Sequence, residues 1–494
     1  MHTALLLEMA AEALADRIAF GGLKAGVSFA ELLASARGGA GWLQAVESET
    51  IAFVGVNSAA LPTALFASAL MEKPFTPMNY RLSDAELARL VARTAPSVVI
   101  VDDDMAFRLP DIEGVTRVTT SAFARACKAP ENRDAAPFSI DPDVAIRLFT
   151  SGTTGEPKVA LLRHRHLAAY VINAVDFASA EEDEAALVSV PPYHIAGISA
   201  ILTGVYAGRR TVYLPAFTPE AWVETAAAEK ITQALVVPTM LGRILDVLDR
   251  TGEQLPTLRS LAYGGGRMPL PVIERALTLL PNVSFANAYG LTETSSTIAV
   301  LTADDHREAI ASRNETVRRR LGSVGKPLAT IAIEIRGPDG EVLPASERGE
   351  VFVSGEQVAG EYLSHKVIDD KGWFATNDGG WLDEDGYLFI EGRLDDVIVR
   401  GGENISPGEI EDVLRSHPDV ADVAVLGLPD DRWGEQVAAV VVARGARPPE
   451  AELAAWVQAQ LRSVKTPQTW LFREALPYND TGKLLRRVLK AELS

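Results

Sequence analysis

Residues 231–290, ITQALVVPTMLGRILDVLDRTGEQLPTLRSLAYGGGRMPLPVIERALTLLPNVSFANAYG, alternate between two hydrophobic periods. ITQALVV (231–237), LRSLAYG (258–264) and VSFANAYG (283–290) are short apolar runs of strand character. TMLGRILDVLDR (239–250) and PLPVIERALTLL (269–280) carry the 3.6-residue apolar spacing of helices. A strand–helix–strand–helix–strand order predicts a parallel sheet covered by helices, with ligands at the carboxyl ends of the strands. The same rhythm stands earlier in the chain. IAFVGV (51–56) and SVVIVDD (97–103) read as strands, and LPTALFASALM (61–71) and the capped SDAELARLVART (83–94) as helices. Two copies of the pattern predict two related α/β subdomains.

Beyond about Gly325 the texture changes to short strands between Gly, Pro and Asp turns: TIAIEIRGPDGEVL, GEVFVSG and GYLFIEGR. That pattern predicts a small antiparallel sheet or β-barrel. After Arg393 it changes again, with SPGEIEDVLRSH and PEAELAAWVQAQLRS reading as helices and VADVAVLGL and QVAAVVVAR as strands. The expected architecture is therefore α/β: a large N-terminal domain (1–394) of two parallel-rich subdomains plus the small barrel, then a small mobile α+β domain (395–494). The boundary falls in GRLDD (392–396), where charged residues separate two hydrophobic patterns.

Length supports this division, because 494 residues exceed one ordinary core. The formal charge of −19, from 47 basic and 66 acidic side chains, argues against general affinity for nucleic acid or an anionic membrane. Cys127 is the only cysteine, which rules out an intramolecular disulfide and fits a reducing cytoplasm. MHTALLLEMAAEALADR has no basic leader and reads as a first amphipathic helix, not an export signal. Ala185–Gly208 runs a membrane-spanning length without a formal charge, but Pro191, Pro192 and His194 favour a buried strand–loop–helix segment.

The chemistry concentrates in LFTSGTTGEPKVALLRH (148–164). Thr150, Ser151, Gly152, Thr153, Thr154, Gly155 and Lys158 bring hydroxyls, approachable backbone amides and one ammonium into a single loop, a host for clustered negative charge. The spacing is not the Walker pattern, since Lys158 follows Gly155 by three residues and has Pro157 before it. A generic glycine-rich turn is the plain alternative, and it has no use for so many donors.

LFTSGTTGEPK resembles the signature loop of the adenylate-forming superfamily, which includes acyl- and aryl-CoA synthetases, peptide-synthetase adenylation domains and beetle luciferases. NAYGLTET (287–294), ATNDGGWLDEDGYLFIEGRLDD (375–396), RGGENISPGEIE (400–411) and NDTGKLLRR (479–487) resemble the family's later motifs in the family's order. The resemblance spans most of the chain. It implies ATP-dependent formation of an acyl adenylate and pyrophosphate from a carboxylate, followed by thiol attack, with ATP, Mg²⁺ and CoA as cofactors. That first step brings like charges together. Two unit charges 4 Å apart repel by about 4 kcal/mol at an effective dielectric of 20, which slows attack by nearly three powers of ten.

By the same resemblance Lys483 is the catalytic lysine that bridges the substrate carboxylate and the α-phosphate. Glu293, with Thr150, would hold Mg²⁺ on the phosphates, Thr292 would bond the phosphate and acyl end, and Lys158 would attend the pyrophosphate. Asp378 suits the ribose hydroxyls, with Arg393 as a second contact. Gly264, Gly265 and Gly266 would let main chain lie against adenine, whose face Tyr289 covers. Ala288, Gly290 and Ile390 complete the implied nucleotide pocket. His194, in PPYHIAG, would line the junction of acyl pocket and thiol tunnel beside Tyr193, Ile195 and Ala196. Gly401 and Gly402 would admit the pantetheine arm after a rotation about Asp395, and Trp433 and Arg81 are suggested for the nucleotide end of CoA. Two residues depart from the family pattern: Val159 and Asn377 stand where glycine is usual.

The implied function is an acid–thiol ligase acting on a monocarboxylate with a fatty or aromatic tail. An adenylating enzyme that loads a separate carrier protein, a non-catalytic nucleotide-binding relative and a luciferase-like oxidative second step are the alternatives. A homodimer is left open.

Overall fold

The computed structural model describes residues 1–129, 144–150, 157–401, 403–430, 432–479 and 484–493. Both alternating segments form the sheets their patterns predict. The strands Thr50–Val54, Phe75–Pro77, Ser97–Val101 and Val115–Thr119 run parallel, and Phe75–Pro77 continues in parallel to Val144–Thr150. Lys158–Arg163 closes this six-stranded sheet as an antiparallel edge, with Thr150 opposite Lys158. Val98 and Ile100 enter one apolar cluster while Val99 and Val101 enter another, so strands covered on both faces read as unbroken apolar runs.

The second sheet has nine strands. Its parallel centre runs through Ser284–Leu291, Ser260–Gly264, Gln233–Val236, Ala185–Val188, Arg210–Tyr213 and Ile18–Gly22. Antiparallel strands border it on both sides. The uncharged segment 185–208 supplies the buried strand Ala185–Val188 and the helix Ile195–Ala207, which ends at Gly208 with φ 74°. Among the described residues no helix is long and apolar enough to cross a membrane.

Of the two forms the turn-rich segment allowed, the described residues show the sheet. Ile331–Arg336, Gly349–Gly355, Phe374–Leu382 and Leu388–Arg393 pair in that order, all antiparallel, and no described ladder joins the first strand to the last. The last sheet comprises Ile398–Arg400, Glu403–Ile405, Val420–Asp430, Gly434–Ala443 and Thr469–Arg473. Val423 and Val425 point to the helices Pro407–Arg415 and Glu450–Gln458, whereas Ala424 and Leu426 meet Leu489 of Arg486–Leu493. Strict alternation along one strand thus builds a two-faced α+β unit.

Candidate functional site

Strand Ser260–Gly264 ends at the carboxyl edge of the nine-stranded sheet, paired with the segment that carries Ala288, Tyr289 and Gly290. A Cβ on Gly264 would lie 2.2 Å from the Ala288 carbonyl oxygen, and Gly265 has φ 77°. Only glycine fits both constraints, and the exposed Gly266 continues the bare main-chain surface.

Tyr289 reaches from this edge to the four-stranded sheet. Its Oη donates to Asp378 Oδ2 at 2.5 Å, and Arg393 Nη1 donates to Asp378 Oδ1 at 3.1 Å and to the Thr376 carbonyl at 3.0 Å. Burial, reinforced by the adjacent Asp378 carboxylate, holds the Tyr289 phenol well above its ordinary pKa, so it remains a donor. Tyr289 and Ile390 pack against one apolar cluster. Three separately predicted nucleotide residues, Tyr289, Asp378 and Arg393, therefore share one hydrogen-bonded group.

A second group forms around the turn Thr292–Thr294. Thr294 Oγ1 bonds the Leu291 amide at 2.9 Å and the Ser296 carbonyl at 2.8 Å, while Gln357 Nε2 donates to the Thr294 and Thr297 carbonyls. The amides of Ala359 and Gly360 donate to the Glu293 carbonyl at 2.8 and 3.1 Å. Glu293 is buried, and its Oε1 accepts a 2.5 Å bond from Tyr362 Oη. Lys158 Nζ lies 5.4 Å from the centroid of the same Tyr362 ring. Register explains this meeting: Tyr362 bridges Ala160, two residues after Lys158, and Arg163 locks the next residue back, Glu361, through bonds of 3.0 and 2.9 Å. The donor set suits a hard divalent cation, because Glu293 Oε2 accepts from no described residue and carboxylate oxygen is the ligand such ions take. Thr150, opposite Lys158, stands at the same end of the hairpin.

His194 lies at the amino end of helix Ile195–Ala207, its ring 4.7 Å from that of Tyr193. Tyr193 in turn meets Tyr80 edge-on, with the Arg81 guanidinium 5.6 Å from the Tyr80 ring. In the last domain Gly401 has φ 60°, and a Cβ there would come within 2.8 Å of the Trp433 ring. Arg400 and Arg432 flank that indole at 5.5 and 5.1 Å. Asp395 lies in the turn Leu394–Asp396 and accepts from Asn377 Nδ2 at 2.8 Å. Asn377 has φ 60°, which asparagine tolerates, so the departure from glycine keeps the backbone form and adds a bond to the expected pivot.

Ser151, Gly152, Thr153, Thr154, Gly155, Gly402 and Lys483 lie outside the described residues. Sequence reasoning passed over Tyr362 and Arg267. The Arg267 guanidinium, next after the glycine triplet, pairs with Asp412 of the last domain. An isolated tyrosine in GEYLSH and an arginine after GGG carry no spacing signal, so nothing in the sequence singles them out. Elsewhere His417, Asp419 and Glu452 lie within metal-ligating reach of one another. His417 Nδ1 accepts the Asp419 amide and Nε2 faces Glu452 at 3.5 Å, so both ring nitrogens already have protein partners.

Residues 7–363 match the AMP-binding enzyme family and residues 409–483 the AMP-binding enzyme C-terminal domain. The chain is 33% identical over 447 residues to a feruloyl-CoA synthase of Amycolatopsis sp, covering 89% of this chain and 87% of that protein. It is 32% identical over 456 residues to a fatty acid–[acyl-carrier-protein] ligase of Streptomyces coeruleorubidus, covering 90% and 86%. An O-succinylbenzoate coenzyme A synthetase of Bacillus subtilis, solved with ATP and magnesium ion, superposes with a TM-score of 0.81 at 28% identity, covering 98% of this chain and 99% of that one. The family match over residues 7–363, the curated relatives and the superposition across nearly the whole length agree: the chain belongs to the AMP-binding, adenylate-forming family of acyl- and aryl-CoA ligases.

Proposed function

We propose that this protein converts a monocarboxylate with a fatty or aromatic tail to its acyl-CoA, with ATP and Mg²⁺. The observation that carries the reading is the meeting of the Lys158 ammonium and the Glu293 carboxylate at one tyrosine, Tyr362, a pairing of charges that suits a metal-bound phosphate. Glu293, with Thr150, would hold the Mg²⁺ that neutralises the phosphates. Gly264, Gly265, Gly266, Ala288, Tyr289 and Gly290 would receive adenine, and Asp378 with Arg393 the ribose. A carboxylate oxygen attacks the α-phosphorus and pyrophosphate leaves, attended by Lys158, with Ser151–Gly155 as further donors by their motif. Lys483 and Thr292 offset the charge at the reacting centre. The CoA thiol then attacks the acyl carbon beside His194 and AMP leaves, with Gly401 and Gly402 flanking the pantetheine arm. We assign residues 395–494 to a unit that rotates about Asp395 between these steps.

An apolar tail is favoured because helix Ile195–Ala207, next to His194, has no charged side chain. Transfer to a carrier protein is the second reading, favoured by the relative that serves an acyl carrier protein. The test is a panel of fatty acids, ferulate and 2-succinylbenzoate with ATP, Mg²⁺ and either CoA or a phosphopantetheinylated carrier, read by mass spectrometry. AMP and acyl-CoA are expected. AMP with label only on the carrier selects the second reading, and no carboxylate-dependent AMP overturns both.

A further inference from the structure

Tyr362 belongs to no motif recognised in the sequence, yet it touches both charged partners of the proposed phosphate site. Its hydroxyl donates to Glu293 Oε1 at 2.5 Å, and its ring lies 5.4 Å from Lys158 Nζ. The backbone around it is fixed by three contacts with one strand, Lys158–Arg163. Tyr362 bridges Ala160, the Leu161 amide donates to the Glu361 carbonyl at 2.9 Å, and the Leu363 amide donates to the Val159 carbonyl at 2.9 Å. Two residues upstream, Ala359 and Gly360 donate to the main chain of Glu293 itself. One short segment therefore grips the glutamate by backbone and side chain, and the hairpin that carries Lys158 by its edge.

A carboxylate that serves a metal is a rotor unless something fixes it. Donation to one oxygen removes that rotation and turns the other toward the ligand, and loss of such outer partners commonly weakens metal binding by 10–100-fold. We propose that Tyr362 is the positioning residue of this site: its hydroxyl aims Glu293 at the divalent cation, and its ring steadies the ammonium of Lys158 over the departing phosphates. The inference rests on the reading of Glu293 as the metal ligand.

Removing the hydroxyl and the ring separately gives different outcomes. Tyr362→Phe keeps the ring and deletes the donor; Tyr362→Leu deletes both. With ATP bound, Mn²⁺ affinity read by electron paramagnetic resonance should weaken ~10-fold or more in Tyr362→Phe, with a matching rise in half-saturating Mg²⁺ for pyrophosphate release. ATP affinity without metal, measured by calorimetry in EDTA, should stay at the wild-type value in Tyr362→Phe. In Tyr362→Leu it should fall about two- to fivefold, the range of a partly exposed cation–π contact. Unchanged or tighter Mn²⁺ binding in Tyr362→Phe overturns the positioning role, as does equal loss of metal-free ATP affinity in both variants. Glu293→Gln separates the two levels. If it too leaves Mn²⁺ binding unchanged, the metal-ligand reading has failed; if it alone weakens binding, only the role of Tyr362 has.

Discussion

Asp378 already has a partner on each oxygen, Tyr289 on one and Arg393 on the other. Each carboxylate oxygen offers two lone-pair directions, so acceptors remain for the two ribose hydroxyls proposed to bind here. Asp378→Asn removes the charge these bonds depend on. Charged hydrogen bonds contribute about 1.5–3 kcal/mol, so the ATP KM should rise ten- to hundredfold in pyrophosphate-release kinetics, whereas an unchanged KM would move ribose recognition elsewhere. Asn377 explains its own departure from the family pattern. Its left-handed φ of 60° leaves glycine as the other natural choice, while its amide reaches Asp395 at 2.8 Å. At this scale motif spacing marked Tyr289, Asp378 and Arg393, which the fold joins in one hydrogen-bonded group. Tyr362 and Arg267 were not marked, because a contact made between distant parts of the chain leaves no local pattern.

Elements with a strong period were read well: the strands and helices named in 51–103 and 231–290 fall where the apolar spacing put them, whereas the three-residue strand Phe75–Pro77 is too short to show a period. Phe374–Leu382 was read only as a motif, since Asn377, Asp378, Gly379 and Gly380 break the apolar or β-branched alternation that marks a strand. It is nonetheless a central strand of its sheet, paired on both sides. The close pairing of Ser260–Gly264 with Ser284–Leu291 has its own consequence. Gly264→Ala drives a methyl into the Ala288 carbonyl, and overpacking of this kind costs about 1–3 kcal/mol. A lowered melting temperature is expected, and an unaltered one would show that the edge yields. Helices Thr3–Ala13 and His164–Ala174 share a further liability. Burial lowers His2 and His166 to about 4 and His164 to about 3, and the rings of His2 and His164 stack at 3.7 Å. Unfolded histidine titrates near 6.5, so these neutral rings contribute stability that is complete above that pH and is lost as pH falls toward 4. Each adds a slope approaching about 1.4 kcal/mol per pH unit. Urea midpoints should drop steadily from pH 7 to 5, before most carboxylates titrate, and a flat profile would contradict the neutral cluster.

The whole molecule has to join two half-reactions at one site. The last domain touches the edge proposed to receive the nucleotide: Arg267, beside Gly264–Gly266, pairs with Asp412, and Ser406 Oγ donates to the Glu391 carbonyl at 3.0 Å. The turn Leu394–Asp396 is tied on one side to Asn377 and on the other to Arg486, whose guanidinium lies 3.6 Å from Asp396 and also pairs with Glu411. A gating rotation needs contacts that release, and a partly exposed ion pair worth about 0.2–1 kcal/mol is of that size. Arg267→Asp should therefore change one half-reaction about two- to fivefold and spare the other, with Asp412→Arg restoring it in the double variant. Equal change in both steps would make the pair merely structural. Two α/β subdomains and a final α+β unit were legible from texture alone, whereas the docking of that unit rests on single cross-domain contacts that no periodicity encodes. The most direct measurement compares both half-reactions in Lys483→Ala. Carboxylate-dependent pyrophosphate release should vanish while thioester formation from supplied acyl adenylate stays near the wild-type rate; parallel loss of the two would contradict a lysine that serves only the first pose.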